Sequence, residues 1–296
     1  RIGDPSNTIQ GQSYIQSRNF YLPIDRKRYS ELPFSGQIDS SEWVEAIPFN
    51  FSPSSNYILK DELAIMDVIV SNFYTRPIYF AITCQPSKLL GLNNFTELEG
   101  LALRITPTSV KVRSSLPSIY GFGDVNAEMC YDNIMTKWQW GNFDKIKTFI
   151  DKSYLPEVQA MKLVMLRVAE EYIRVGNNEK AVTMANKYFE AFPNMNFPYD
   201  AGVISFIRIL ISGNDIESAK KHIKILANQT QQYIDFYDSQ TSTKVFESFR
   251  SDYEYRLAAA QNILDLIKSI EDETFVKEIK DQIEPLVNGL DFKQNQ

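Results

Sequence analysis

Histidine and cysteine, the side chains that most often do nucleophilic or metal chemistry, are sparse in this 296-residue chain. The single histidine, His222, sits in "AKKHIKILA", on what reads as the basic face of a helix. That placement reads as a surface residue, and no second imidazole exists to share a zinc site with it. A Ser–His–Asp arrangement would have to use His222, and nothing near it resembles a strained nucleophile turn. The cysteines, Cys84 and Cys130, fall in unrelated segments and read either as two buried thiols or as one disulfide. With 37 Asp and Glu residues, many carboxylate pairs are open, and sequence alone cannot select the one a hydrolase would use. The chain by itself is therefore expected to be non-enzymatic, with no catalytic residue, cofactor or metal assigned.

Binding chemistry is better represented. The connection "SPSSNYILKDE" precedes a helix, as a phosphate loop would, but it lacks the glycines that let backbone N–H groups approach an anion. "GFGD" places Gly121 and Gly123 before another helix, capped by Asp124 or Asn126, and reads as a turn. Trp138 and Trp140 offer surfaces on which a sugar ring could stack, set against packing in a core or domain joint. The basic cluster Arg26–Arg28 reads as a solvated loop, or as a contact for an acidic partner or lipid headgroups.

These residues need elements to hold them. Of the 25 prolines and glycines, 17 precede residue 151, so turns dominate the first part and long helices the second. Arg1 to about Asp39 reads as irregular chain. "WVEAIPFNF" alternates as a strand, and "LKDELAIMDVIVSNF" follows as a helix capped by Asp61 and apolar on several sides. Pro77 then forces Arg76 out of the helical conformation, and "IYFAIT" begins a strand. Strand, helix and strand in that order predict a βαβ unit with parallel strands. "LGLNNFTELEG" reads as a loop or short helix, and "LALRITPTSVKV" as one or two strands interrupted at Pro107.

The second part carries the most specific pattern. "MLRVAEEYIRVGNNEKAVTMANKYFEAFP" has the layout of a tetratricopeptide repeat. Met165, Val168, Ala169 and Tyr172 form one helical face, Gly176–Asn177 the turn, Ala181 the small crossing residue, and Pro193 the stop. A weaker copy follows 38 residues later, mapping Tyr172 to Leu210, Gly176 to Asn214 and Ala181 to Ala219. Two further helices would cap the stack. First helices of such units line a groove, where Glu170, Arg174 and Arg208 are the candidate partner-binding residues. The expected fold is α+β. A small mixed α/β domain with a βαβ unit (1–150) is followed by an all-α tetratricopeptide-like domain (151–296).

A net charge of −6, with neither half basic, argues against nucleic acid. No apolar stretch is long enough for a membrane span, and the best candidate, Ala201–Ser212, carries Arg208. The start at Arg1, without a signal peptide, suggests a piece of a longer protein.

The runs "YLPIDRKRY", "KDELAIMDVIVSNFYTRPIYFAIT", "LGLNNFTELEGLALRITP" and "MCYDNIMTKWQWGNFD" resemble the C-terminal region of a family of large multi-spanning membrane proteins. These come from gut and oral Gram-negative bacteria and are similar to protein O-mannosyltransferases. The resemblance implies a fragment at the periplasmic face of the inner membrane, with the sugar-transfer site upstream of Arg1. It implies a non-catalytic accessory domain that binds an acceptor protein, peptide or glycoprotein through the helical groove. The alternative is a free-standing tetratricopeptide adaptor or a glycan-binding module.

Overall fold

The computed structural model describes residues 17, 19–35, 40–51, 57–110, 121–240 and 242–288. The chain divides into two compact units, Arg1–Cys130 and Tyr131–Gln296, against the border after residue 150 drawn from the sequence. The architecture is α+β, with small sheets in the first unit and helices in the second. No helix among the described residues is long and apolar enough to cross a membrane.

In the first unit, β1 (Phe20–Pro23) pairs antiparallel with β2 (Ala46–Phe49), in register from Phe20 opposite Phe49 to Pro23 opposite Ala46. Between them, α1 (Arg26–Ser30) is capped by Asp25, so the stretch expected to be irregular carries a strand and a helix. A four-stranded sheet has the order β3-β5-β4-β6, formed by β3 (Tyr79–Ala81), β4 (Thr96–Leu98), β5 (Ala102–Ile105) and β6 (Asp124–Val125). The βαβ expectation is therefore corrected. The strands flanking α2 (Lys60–Asn72) belong to different sheets, because β2 pairs with β1 instead of β3. Among the described strands, only β4 and β6 run parallel. Element order reveals a crossover but not which strand edge is already occupied.

The helix α2 also differs from its sequence reading. Its N-terminus is capped at Leu59, whose N–H donates to Glu62 at 2.8 Å, while Asp61 forms an ion pair with Lys88 at 2.5 Å. It buries only Ile69, backed by Phe73 just beyond its end, and leaves Val68 53% and Val70 46% exposed. Past the helix, Tyr74 donates its hydroxyl to Pro23 O at 2.6 Å and accepts from the Asp25 N–H at 2.8 Å. The joint before Pro77 thus ties α2 to the turn between β1 and α1. Tyr29, stacked on Phe73 and edge-on to Trp43, fills the centre of this unit. The "SPSSN" turn and residues 111–112 lie outside the described residues.

Gly123 has φ +68°, and a Cβ there would lie 2.1 Å from Thr96 O. It is a packing glycine that lets β6 approach β4 closely. Asn126 caps α3 (Ala127–Asp132) by accepting from the Met129 N–H at 3.2 Å. Neither cysteine is disulfide-bonded; Cys130 is buried, its thiol donating to Leu98 O at 3.3 Å, and Cys84 is half-buried.

The second unit is a succession of helix pairs: α4 (Leu155–Arg174) with α5 (Asn178–Ala191), α6 (Ile204–Ser212) with α7 (Ile216–Asp238), and α8 (Thr243–Ile267) with α9 (Glu273–Asn288). The turns of the first two pairs repeat one another bond for bond. Gly176 and Asn214 are left-handed, at φ 78° and 66°. The next N–H in each case reaches back to close the preceding helix, Asn177 to Tyr172 O at 2.8 Å and Asp215 to Leu210 O at 2.9 Å. Those same two residues cap the following helices, accepting from Lys180 and Ser218 N–H, both at 3.2 Å. Ala181 and Ala219 are fully buried. The 38-residue offset read from sequence is thus a repeat of geometry.

Candidate functional site

His222 occupies the repeat position of Met184, and both are core residues. This corrects the surface reading. The ring stacks on Phe189 with centroids 3.5 Å apart, and Nδ1 lies 2.9 Å from the Tyr199 hydroxyl. Burial first, then the neighbouring Lys221 charge, lowers its pKa to about 4, so it packs as a neutral ring. Flanking lysines suggest a solvated face, but Phe189 of α5 covers the ring.

The three groove candidates are placed as follows. Glu170 is half-buried on α4, and Arg208 is exposed at the equivalent position of α6, which packs beside α4. Arg174 is exposed at the end of α4, its Nε donating to Glu171 at 2.7 Å, so its charge is engaged locally. The structure brings Glu170 and Arg208 into equivalent places on adjacent helices and keeps Arg174 at a helix end.

Two groupings were not assigned from sequence. The first crosses the four-stranded sheet, where Tyr79, Arg104, Glu97 and Asp124 lie opposite one another on successive strands. Arg104 donates to Glu99 Oε1 at 2.9 Å and to Phe34 O at 2.7 Å, and Tyr79 donates to Glu99 Oε2 at 2.7 Å. The Arg104 and Glu99 side chains are each only 2% exposed. Burial, followed by the Glu99 charge beside it, pushes Glu97 up to about 7. A carboxyl whose pKa is raised toward neutrality is the chemistry of acid–base catalysis. Neither carboxylate, however, lines the clefts described in this protein. The centre of the grouping, Arg104 with Glu99, is buried, whereas Tyr79 and Asp124 at its two ends are exposed, and Arg104 balances the carboxylate charge. The i, i+2 spacing of Glu97 and Glu99 along "FTELEG" is the sequence signal that points both to one side of the chain at β4.

The second grouping surrounds Trp140. From Trp138 to Thr148 the chain forms no helix or strand but is firmly tied. Gly141 and Asn142 are left-handed (φ 62° and 61°), and the Lys145 and Ile146 N–H groups both return to Asn142 O, at 3.0 and 3.2 Å. Buried Asn196 clamps the loop from behind. Its Nδ2 donates to Phe143 O at 2.6 Å and Ile146 O at 2.8 Å, and its Oδ1 accepts from the Thr148 N–H at 2.8 Å. Trp140 meets Phe192 edge-on at 5.7 Å, with the Lys187 ammonium 5.9 Å from its ring. Between this loop and the end of α5 lies an open cleft of about 390 Å³. Trp140, Asn142, Asp144, Lys145 and Glu190 are among the residues lining it.

Residues 4–129 match the family model of TMEM260-associated domain 2, a span that ends beside the border of the first unit. No curated protein matches the chain. No solved structure matches it either.

Proposed function

We propose that this chain is a non-catalytic interaction module of a larger, membrane-embedded glycosyltransferase-like protein, displayed at the periplasmic face of the inner membrane. In this reading it holds a polypeptide, the acceptor or a partner, against the surface formed by α4 and α6. The observation that carries the proposal is that the turn joining α4 to α5 is repeated, hydrogen bond by hydrogen bond, in the turn joining α6 to α7. Helical-repeat scaffolds of this kind set the first helices of successive units side by side and bind extended ligands along them. The family match over residues 4–129 supports the glycosyltransferase-like context. The packing roles of His222 and of the Glu97–Glu99–Arg104 network favour binding over turnover.

Photo-crosslinking tests this reading. A photoreactive residue is placed at Glu170 or Arg208 in the intact membrane protein, with exposed Val245 as control. Adducts with another polypeptide are expected at the first two positions and not at the third. An even distribution, or transfer of a sugar by the isolated chain supplied with nucleotide- or lipid-linked donors, would refute it.

A further inference from the structure

The geometry points to the cleft at Trp140 as a carbohydrate site, taking a neutral pyranoside of a mono- or disaccharide with one ring laid on the indole. The inference uses none of Glu170, Arg174 or Arg208 and stands apart from the polypeptide groove. The lining chooses among ligand classes. The Asp144 and Glu190 carboxylates are accompanied by Lys145 and by Lys187, which pairs with Glu190 at 3.0 Å. Charge in the cleft is thus balanced, which favours an uncharged ligand over a phosphate or a polyanion. A hydrocarbon ligand would strip water from these groups and return no hydrogen bonds. A metal ion is not indicated, because no group of three or more His, Cys, Asp or Glu able to hold one occurs among the described residues.

A sugar hydroxyl both donates and accepts. It can therefore satisfy the carboxylates, the Lys145 ammonium and the amides of Gln139 and Asn142 in the same ring of contacts. The C–H face of a pyranose suits the negative face of an indole. The volume of about 390 Å³ lies at the small end of the range for ligand sites. The Asn196 clamp and the two left-handed residues hold the loop without a ligand, so little ordering remains to oppose binding.

The test uses the whole 296-residue chain. Its tryptophan indole N–H resonances are followed by NMR during titration with methyl pyranosides and short oligosaccharides of hexoses and N-acetylhexosamines. The Trp140 signal is assigned from a Trp140→Phe variant. A saturable shift of that signal is expected. Asn142→Gly combined with Glu190→Gln should weaken binding about tenfold while leaving the melting temperature unchanged, because glycine accepts the backbone angle at position 142. A glycopeptide and its deglycosylated form separate the sources of the sugar. Response to the glycopeptide alone identifies a protein-linked glycan, and response only to free oligosaccharide identifies a free one. Response to the bare peptide overturns the proposal. So does the absence of a saturable shift with every sugar, or binding that survives undiminished in the double variant.

Discussion

Replacing Glu97 with glutamine probes the polar row across the four-stranded sheet. In the unfolded chain this carboxyl titrates near the ordinary 4.5, and in the fold near 7, because burial and the Glu99 charge both oppose its ionisation. The fold therefore prefers the protonated form. Its contribution is fully present below the unfolded value, declines as pH rises, and is lost once pH passes the folded value. A difference of that size corresponds to about 3 kcal/mol of pH-linked stability. Glutamine has the same shape and stays neutral, while Glu99 still supplies the charge that Arg104 requires. Between about pH 5 and about pH 8.5, wild type should lose up to about 3 kcal/mol relative to Glu97→Gln. Urea unfolding across that range gives the global values, and hydrogen exchange at the β5 amides isolates the first unit. Parallel pH profiles for the two proteins would refute this account of the row.

The second unit should respond to acid in the opposite sense. The pKa of His222 is depressed to about 4, so its contribution is present above about 6.5 and lost as pH falls through the folded value. His222→Met, copying Met184 of the preceding repeat, should remove about 3 kcal/mol of acid sensitivity; thermal melting at several pH values would show it. Gly123→Ala should destabilise the first unit by about 2 kcal/mol or more, since it adds a Cβ against Thr96 O at a left-handed position. Calorimetry showing an unchanged melting temperature would mean that β6 is not held against β4 as described.

Local chemistry made much of the second unit legible. A left-handed Gly176 or Asn214, followed at once by a capping Asn177 or Asp215, specifies a helix–turn–helix from a few adjacent residues. The buried alanines at Ala181 and Ala219 kept the same spacing. The first unit was less legible because its order depends on pairings between distant segments. Nothing in "WVEAIPFNF" states that its partner is "FYLP", so the crossover was read as parallel. The loop around Trp140 was visible only as a pair of tryptophans. Its clamp, Asn196, lies far along the chain and resembles any other asparagine.

Neighbouring residues alone account for the helical half, its 38-residue period and the turn chemistry that ends each first helix. What each repeated position faces depends on long-range packing. Val175 and Gly213 are equivalent, yet Val175 is exposed, whereas a side chain at Gly213 would meet Val182 of the preceding pair at 2.3 Å. Burial holds His222 as a neutral core ring and opposes the ionisation of Glu97 for the same reason. Backbone turns are set by neighbours in sequence, but burial and charge are set by whatever packs from elsewhere in the chain.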